Sequence, residues 1–466
     1  MTKSKLPLIE NLKIVDIASK GQGVGKHDNR VIFVPGLVPG DIADVQLIRK
    51  KKSFFEGVAV HIRHYSDYRT DPFCDHFGSC GGCKWQNMLY DKQLFFKEKQ
   101  VREQLLRLGD LTFPCPKPIL PSKKTKYYRN KLEYSFSDKA WLTKQEIDSG
   151  KNFSEKKALG FHAPGRFDKV LQVDKCYLQA EPTNLIRNAV HAFAVDNELT
   201  YYNPKSHTGL LRNLMIRITR KSDVMVVLVV SAFSEKVKLL LEYIRDKFPQ
   251  IDSLMYIVNT KRNDSVFDLE VELFAGKPYI TEELDGLQFK IGPKSFFQTN
   301  TLQTEVLYNQ VRVMAGADKT KHIYDLYSGT GSLSLFLARD AKEVTGVEIV
   351  EDAVSDARIN AEMNGLDNLS FYAGDMRKVL TPSFINQHGK PDVVVLDPPR
   401  AGVHKDVIKI LLEIMPEKIV YVSCNPATQA RDLNLMKEAF SIRKVQPVDM
   451  FPHTQHVENV VLLEKE

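Results

Sequence analysis

Five apolar stretches toward the carboxyl end, HIYDLY, EVTGVEIV, LSFYAG, DVVVLD and KIVYVSC, are each separated from the next by a helix-length segment. Strands spaced in this way are joined by crossovers rather than hairpins, which makes them parallel neighbours. From Phe289 onward the pattern therefore predicts an α/β, doubly wound, mostly parallel sheet with ligand sites at the strand carboxyl ends.

The rest of the 466 residues reads differently, and the length suits two or three domains. Residues 8–63 are short strands broken by glycine turns, which predicts a small OB-like β-barrel. From about Tyr127 to Leu284 strands dominate (KLEYSFS, LMIRITR, VMVVLVVSAF, SLMYIVN), with one helix, EKVKLLLEYIRDKF, among them, as in an α+β domain. Before it, Tyr90–Leu108 has a helical face of Leu94, Val101, Leu105 and Leu108, and PCPKPILPS is an extended linker. The division expected is 1–64, 65–288 and 289–466, with the helix near 88–110 a candidate to pack on the last domain.

Charge narrows the partner. Residues 1–64 hold eleven Lys/Arg against six Asp/Glu, and Leu111–Leu132 holds six basic residues and no acidic one. Aromatic residues lie among both stretches, so a phosphate-rich partner is expected. The start, MTKSKLPLIENLK, lacks an apolar secretory core, and the longest apolar run, Val224–Val230, is too short to span a bilayer. The expected compartment is the cytoplasm, with no membrane and no DNA partner, and the expected state is a monomer.

In YDLYSGTGSLSLFLA a strand ends, Gly329 and Gly331 turn the chain, and a helix follows. Such a turn lets backbone approach a ligand at a helix N-terminus, although the third glycine of a dinucleotide fingerprint is replaced by Ser334. Glu348, at the next strand end, suits two ribose hydroxyls, and Asp375 after the third strand suits an adenine amino group. With Asp397 this set resembles class I S-adenosylmethionine-dependent methyltransferases.

Cys424 closes the strand KIVYVSC, shortly after the strand end VVVLDPPRAG. Methyl transfer to uracil C5 needs a thiolate at C6, which makes C5 nucleophilic, and then a base to remove the C5 proton. DPPRAG, SCNP, HTQHVENVVLL and IGPKSFFQTN resemble the RNA 5-methyluridine methyltransferase family, over essentially the whole chain. That resemblance implies a covalent mechanism on a flipped uridine, with Cys424 as nucleophile and Glu458 as C5 proton base. It also implies donor-binding or pocket roles for Gln298, Tyr327, Ser332, Glu348, Asp375 and Asp397. Tyr327 and Ser332 depart from the Phe and Asn frequent at those places.

Cys74, Cys80 and Cys83 form a close thiol cluster with Cys176 as a distant fourth. Four soft ligands suit zinc or an iron–sulfur cluster. The resemblance implies a 4Fe-4S cluster, and with the preceding barrel (a TRAM domain in this family) it points to the ribosomal RNA branch, 23S by expectation. Cys115 has no evident partner. The alternatives are a transfer RNA uracil-C5 methyltransferase, or a non-catalytic RNA-binding or ribosome-assembly factor that kept a methylase fold. A radical enzyme is disfavoured, because its tight Cys-x3-Cys-x2-Cys spacing is absent.

Overall fold

A computed structural model describes residues 6–151, 153 and 156–466. The first five residues of the amino-terminal basic stretch lie outside the described residues. Among the described residues the strands make a closed barrel, two seven-stranded sheets and a two-stranded hairpin.

The barrel joins Leu8–Ile17, Gly23–His27, Arg30–Val34, Phe54–His64 and Ile42–Lys50 in that spatial order. Closure removes free strand edges, and Ile14, Ile32, Val34, Ala43 and Val45 fill the interior. Gly57 is required there: a Cβ would stand 2.4 Å from a Val45 methyl.

The middle sheet runs Glu272–Gly276, Ile251–Val258, Val224–Val230, Leu211–Ile218, Lys131–Ser137, Ala158–His162, Val170–Gln172. Its two central strands are buried at every residue. The reason is packing on both faces. Leu214, Ile216, Val226 and Leu228 meet the helices Thr183–Asp196 and Glu235–Lys247. Met215, Met225, Val227 and Val229 share a core with Phe289, Leu307 and the carboxyl-terminal sheet. The α+β unit and the doubly wound unit are thus fused through one hydrophobic core.

The carboxyl-terminal sheet has the order Leu369–Ala373, Glu343–Glu348, His322–Leu326, Val393–Leu396, Lys418–Ser423, Glu458–Lys465, Phe440–Val448. The first five strands are parallel, as the strand–helix alternation predicts; Glu458–Lys465 runs antiparallel to them, and Phe440–Val448, antiparallel to Glu458–Lys465, runs parallel to the first five. The chain switches direction about His322–Leu326, where a crevice opens at the carboxyl ends. Glu458–Lys465 enters the sheet from that same end, with Asn459 opposite Ser423. A residue at the start of that strand therefore lies beside residues at the ends of its parallel neighbours.

The helix Tyr90–Gly109 packs through Val101 and Leu105 against Ala430 and Leu433 of the helix Pro426–Asn434. Its buried face is Gln93, Phe96, Lys97, Val101 and Leu105. Leu108, expected on that face, is exposed because the buried stripe advances in steps of four through Lys97, Val101, Leu105 and Gly109, which carries it around the helix away from Leu108. The PCPKPILPS segment is extended, and its Lys117 and Leu120 amides bond Val445 and Pro447 carbonyls, covering the sheet's outer edge.

Candidate active site

The donor side is built from the strand ends around the switch point. After Leu326 the chain enters left-handed backbone at Tyr327 (φ 71°), Gly329 (φ 55°) and Gly331 (φ 79°). For a tyrosine this conformation is strained, and strain of this kind concentrates at functional loops. A Cβ on Gly329 would meet nothing within 4 Å, so the turn leaves open space above the sheet. Glu348 holds the turn from the neighbouring strand: its carboxylate accepts from the amides of Gly329 at 3.0 Å, Ile349 at 2.8 Å and Val350 at 3.0 Å. Asp375 caps the short helix Met376–Val379 and pairs with Arg377, whose guanidinium holds the carboxyl down to about 2. The Ser332 hydroxyl bonds the buried Tyr308 hydroxyl at 2.8 Å. Gln298 lies in the loop before the helix Thr301–Ala315, with its carbonyl held by Asn130 at 3.0 Å.

The opposite corner gathers Cys424, Asp397, Arg400 and Glu458. Burial pushes the Cys424 thiol up to about 11; the Glu458 and Asp397 charges add to this and the Arg400 charge opposes it. Burial likewise pushes Glu458 up to about 8, with Asp397 adding to it and Arg400 opposing, and it pushes Asp397 up to about 7. At neutral pH the corner therefore has a protonated carboxyl at Glu458, a thiol, and one guanidinium among acids. Such a set can exchange protons within one pocket.

Two layers of bonds hold this corner in place. Asn425 Nδ2 and Thr428 Oγ1 donate to the Arg400 carbonyl at 3.1 Å and 3.3 Å, tying the DPPRAG loop to the SCNP helix. Asp432 accepts from the Val403 amide and the Tyr421 hydroxyl, both at 2.8 Å. The loop leading to Glu458 is fixed by residues far away in sequence. Lys97 and Asp449 form a fully buried ion pair at 2.5 Å, which Tyr90 joins at 2.7 Å. Gln93 brackets His453, and the Lys84 and Trp85 amides donate to the His453 carbonyl at 2.9 Å and 3.1 Å. Burial lowers His453 and His456 to about 4, so both rings are neutral. Arg400 was visible in its motif but carried no assigned part, and no local signal marks Lys97 or Gln93 as partners of this loop.

The four expected metal-ligand cysteines line one cavity of about 630 Å3, which Arg400, Thr454 and His456 also line from the corner side. All are free thiols, and burial raises each of them. Among the described residues no group of three or more His, Cys, Asp or Glu stands in metal-holding positions. Cys115 is exposed. No described helix is long and apolar enough to cross a membrane.

A doubly wound sheet with an acid-anchored glycine turn at its switch point is the arrangement of a nucleotide-type ligand site, S-adenosylmethionine among the ligands it suits. Residues 270–466 match the family model described as tRNA (Uracil-5-)-methyltransferase, and residues 8–60 match the TRAM domain. An uncharacterized RNA methyltransferase of Bacteroides thetaiotaomicron is 49% identical over 452 residues, covering 96% of this chain and 100% of that one. Another, from Porphyromonas gingivalis, is 48% identical and covers 97% and 99%. The Pyrococcus abyssi tRNA (uracil-54, C5)-methyltransferase, solved with S-adenosyl-L-homocysteine, superimposes with a TM-score of 0.75 at 29% identity, covering 98% of this chain and 100% of that one. The chain belongs to the RNA uracil-5-methyltransferase family.

Proposed function

We propose that this enzyme methylates C5 of a uridine in ribosomal RNA, through covalent attack by Cys424 on uracil C6. The observation that carries the reading is the meeting of Cys424, Asp397, Arg400 and Glu458 at the carboxyl end of the sheet, next to the donor turn. In this reading Cys424 loses its proton to solvent and its sulfur bonds C6, with the Arg400 charge favouring the thiolate, and the electrons this places on C5 take the methyl. Glu458, unprotonated on the active enzyme, removes the C5 proton so that the C6–sulfur bond can break. Burial, with repulsion from Asp397 adding to it, keeps the Glu458 carboxyl basic. Bound S-adenosylmethionine would supply the electrophilic methyl. The open space above Gly329 fits that donor, with Glu348, Asp375, Gln298, Tyr327 and Ser332 around it.

The barrel at 1–64 and the middle domain at 65–288 would hold RNA against the methyltransferase domain at 289–466. The chemistry of the donor set supports a 4Fe-4S cluster, since Cys74, Cys80, Cys83 and Cys176 are four soft, unbridged thiols lining one cavity, the first three half-buried and Cys176 buried. Such a cluster would cross-link the cysteine segment to the Cys176 loop, and the Lys84 and Trp85 amides would pass that order on to the His453 loop. Iron and sulfide in an anaerobic preparation, lost from C80S, is the expected result; zinc in a colourless folded protein contradicts it.

A transfer RNA substrate is the second reading. It is favoured by the likeness over 98% of this chain to an enzyme described as acting on tRNA uracil-54. Mapping 5-methyluridine in RNA from cells with and without the protein separates the two. Loss from ribosomal RNA alone is expected; loss from transfer RNA alone overturns the ribosomal assignment.

A further inference from the structure

The cavity between the cysteines and Arg400 is lined by Arg129, Lys131, Lys175, Arg217, Lys294 and Arg400. None of these six joins an ion pair among the described residues. The two lining acids are Glu133 and Asp264, and Asp264 is engaged by Arg212 at 3.0 Å. The cavity thus carries six cations against Glu133 and an already engaged Asp264, a positive charge that its own acids offset only in part.

Two of the cations oppose each other directly. Lys131 and Arg217 are cross-strand partners in the middle sheet, so their side chains leave the same face. Arg217 is 2% exposed, and one guanidinium nitrogen donates to the Ser295 carbonyl at 3.1 Å. Its other two nitrogens are buried without a partner. Glu282 is the acid nearest its charge, but that carboxyl is buried and spends its oxygens on the Arg220 and Glu283 amides and the Thr301 hydroxyl. Burial and the Arg217 charge both lower Lys131, with the Glu133 charge opposing them. A like-charged pair directly across two strands is destabilising, as are orphaned buried donors, and an anion between the two relieves both. Phe267 and Phe296, 74% and 69% exposed, line the same cavity, which suits unstacked bases.

The geometry points to a phosphate seat at Lys131 and Arg217, flanked by Arg129, that grips the RNA backbone beside the target nucleotide while Phe267 and Phe296 carry neighbouring bases. This rests on the RNA-methylating reading and adds to it which residues take the strand. The shared chemistry is an anion, and the methionine carboxylate of the donor is its other source.

Lys131→Met tests the seat, because Lys131 is the less buried partner and the substitution keeps an apolar stem. Two probes are used: binding of a labelled 12-nucleotide oligouridylate across a KCl series, and calorimetric binding of S-adenosylhomocysteine. The seat predicts about tenfold weaker oligonucleotide binding, a slope of log affinity against log salt shallower by about 0.7, and unchanged S-adenosylhomocysteine affinity. It also predicts a thermal midpoint about 1–3 °C higher without RNA, since a repulsion is removed, whereas a merely structural lysine would lower it. Lys131→Arg restores the binding. An unchanged salt slope overturns the seat, and so does weaker S-adenosylhomocysteine binding with oligonucleotide binding intact. A wild-type protein that does not retain the oligonucleotide contradicts the RNA reading itself.

Discussion

The donor side and the RNA side of the crevice are wired in opposite ways. On the donor side the acids are already satisfied: Glu348 accepts three amides and Asp375 is paired with Arg377. On the RNA side, among the described residues, the cavity cations have no carboxylate within ion-pair distance, although Arg129, Arg217 and Lys294 donate to backbone carbonyls. Glu458 and Asp397 are pushed toward their neutral forms, Cys424 toward its thiol, and six cavity cations lack ion pairs. The first arrangement is a preformed seat for a small ligand. The second leaves cations that, on the proposed reading, the phosphates of an RNA strand would pair with.

The largest break in this comparison comes at Glu458. Glu458→Gln should lower turnover by at least about a hundredfold while a covalent protein–RNA adduct accumulates, read on a denaturing gel. Because the carboxyl lies near 8 and must be unprotonated to act, wild-type turnover should rise as pH climbs through about 8. The variant should lack that rise; a pH profile unchanged by the substitution removes Glu458 from the proton step.

A second effect is on the donor side. Glu348→Gln should weaken S-adenosylhomocysteine binding about tenfold and leave oligonucleotide affinity unchanged, both by calorimetry. Equal losses for the two ligands would mean that the sides are not separately built.

The smallest effect is on stability. Folding raises Glu458 above its ordinary range, so the folded protein keeps a proton there that the unfolded chain has released. Stability is therefore lost as pH rises from the ordinary carboxylate range through about 8. Glu458→Gln removes that loss and should be roughly 1–3 kcal/mol more stable than wild type near pH 8.5, with little difference near pH 4, in urea unfolding.

What the sequence could carry was what is local. The strand–helix alternation after Phe289, the glycine turn and the short strands of residues 8–63 each have their own period or punctuation, and the double winding and the closed barrel follow from them. Cys424 could be placed at a strand end because its neighbours are apolar and contiguous. Glu458 could not be placed by pattern alone; its position beside Cys424 depends on an antiparallel strand inserted next to Lys418–Ser423. Lys97 and Asp449 are 352 residues apart, and each reads alone as a solvated charge. Lys131 and Arg217 sit in strands whose pairing no spacing reveals. Leu108 shows the same limit from the other side: a helical period places it on the contact face, while the buried stripe drifts around the helix toward Gly109.

The central claim is that Cys424 makes C5 reactive by bonding C6. Tritium release from RNA carrying 5-tritiated uridine reads that step directly. Wild-type protein with S-adenosylmethionine should release tritium, and Cys424→Ala should release none while still binding S-adenosylhomocysteine normally. Undiminished release from Cys424→Ala would contradict the account.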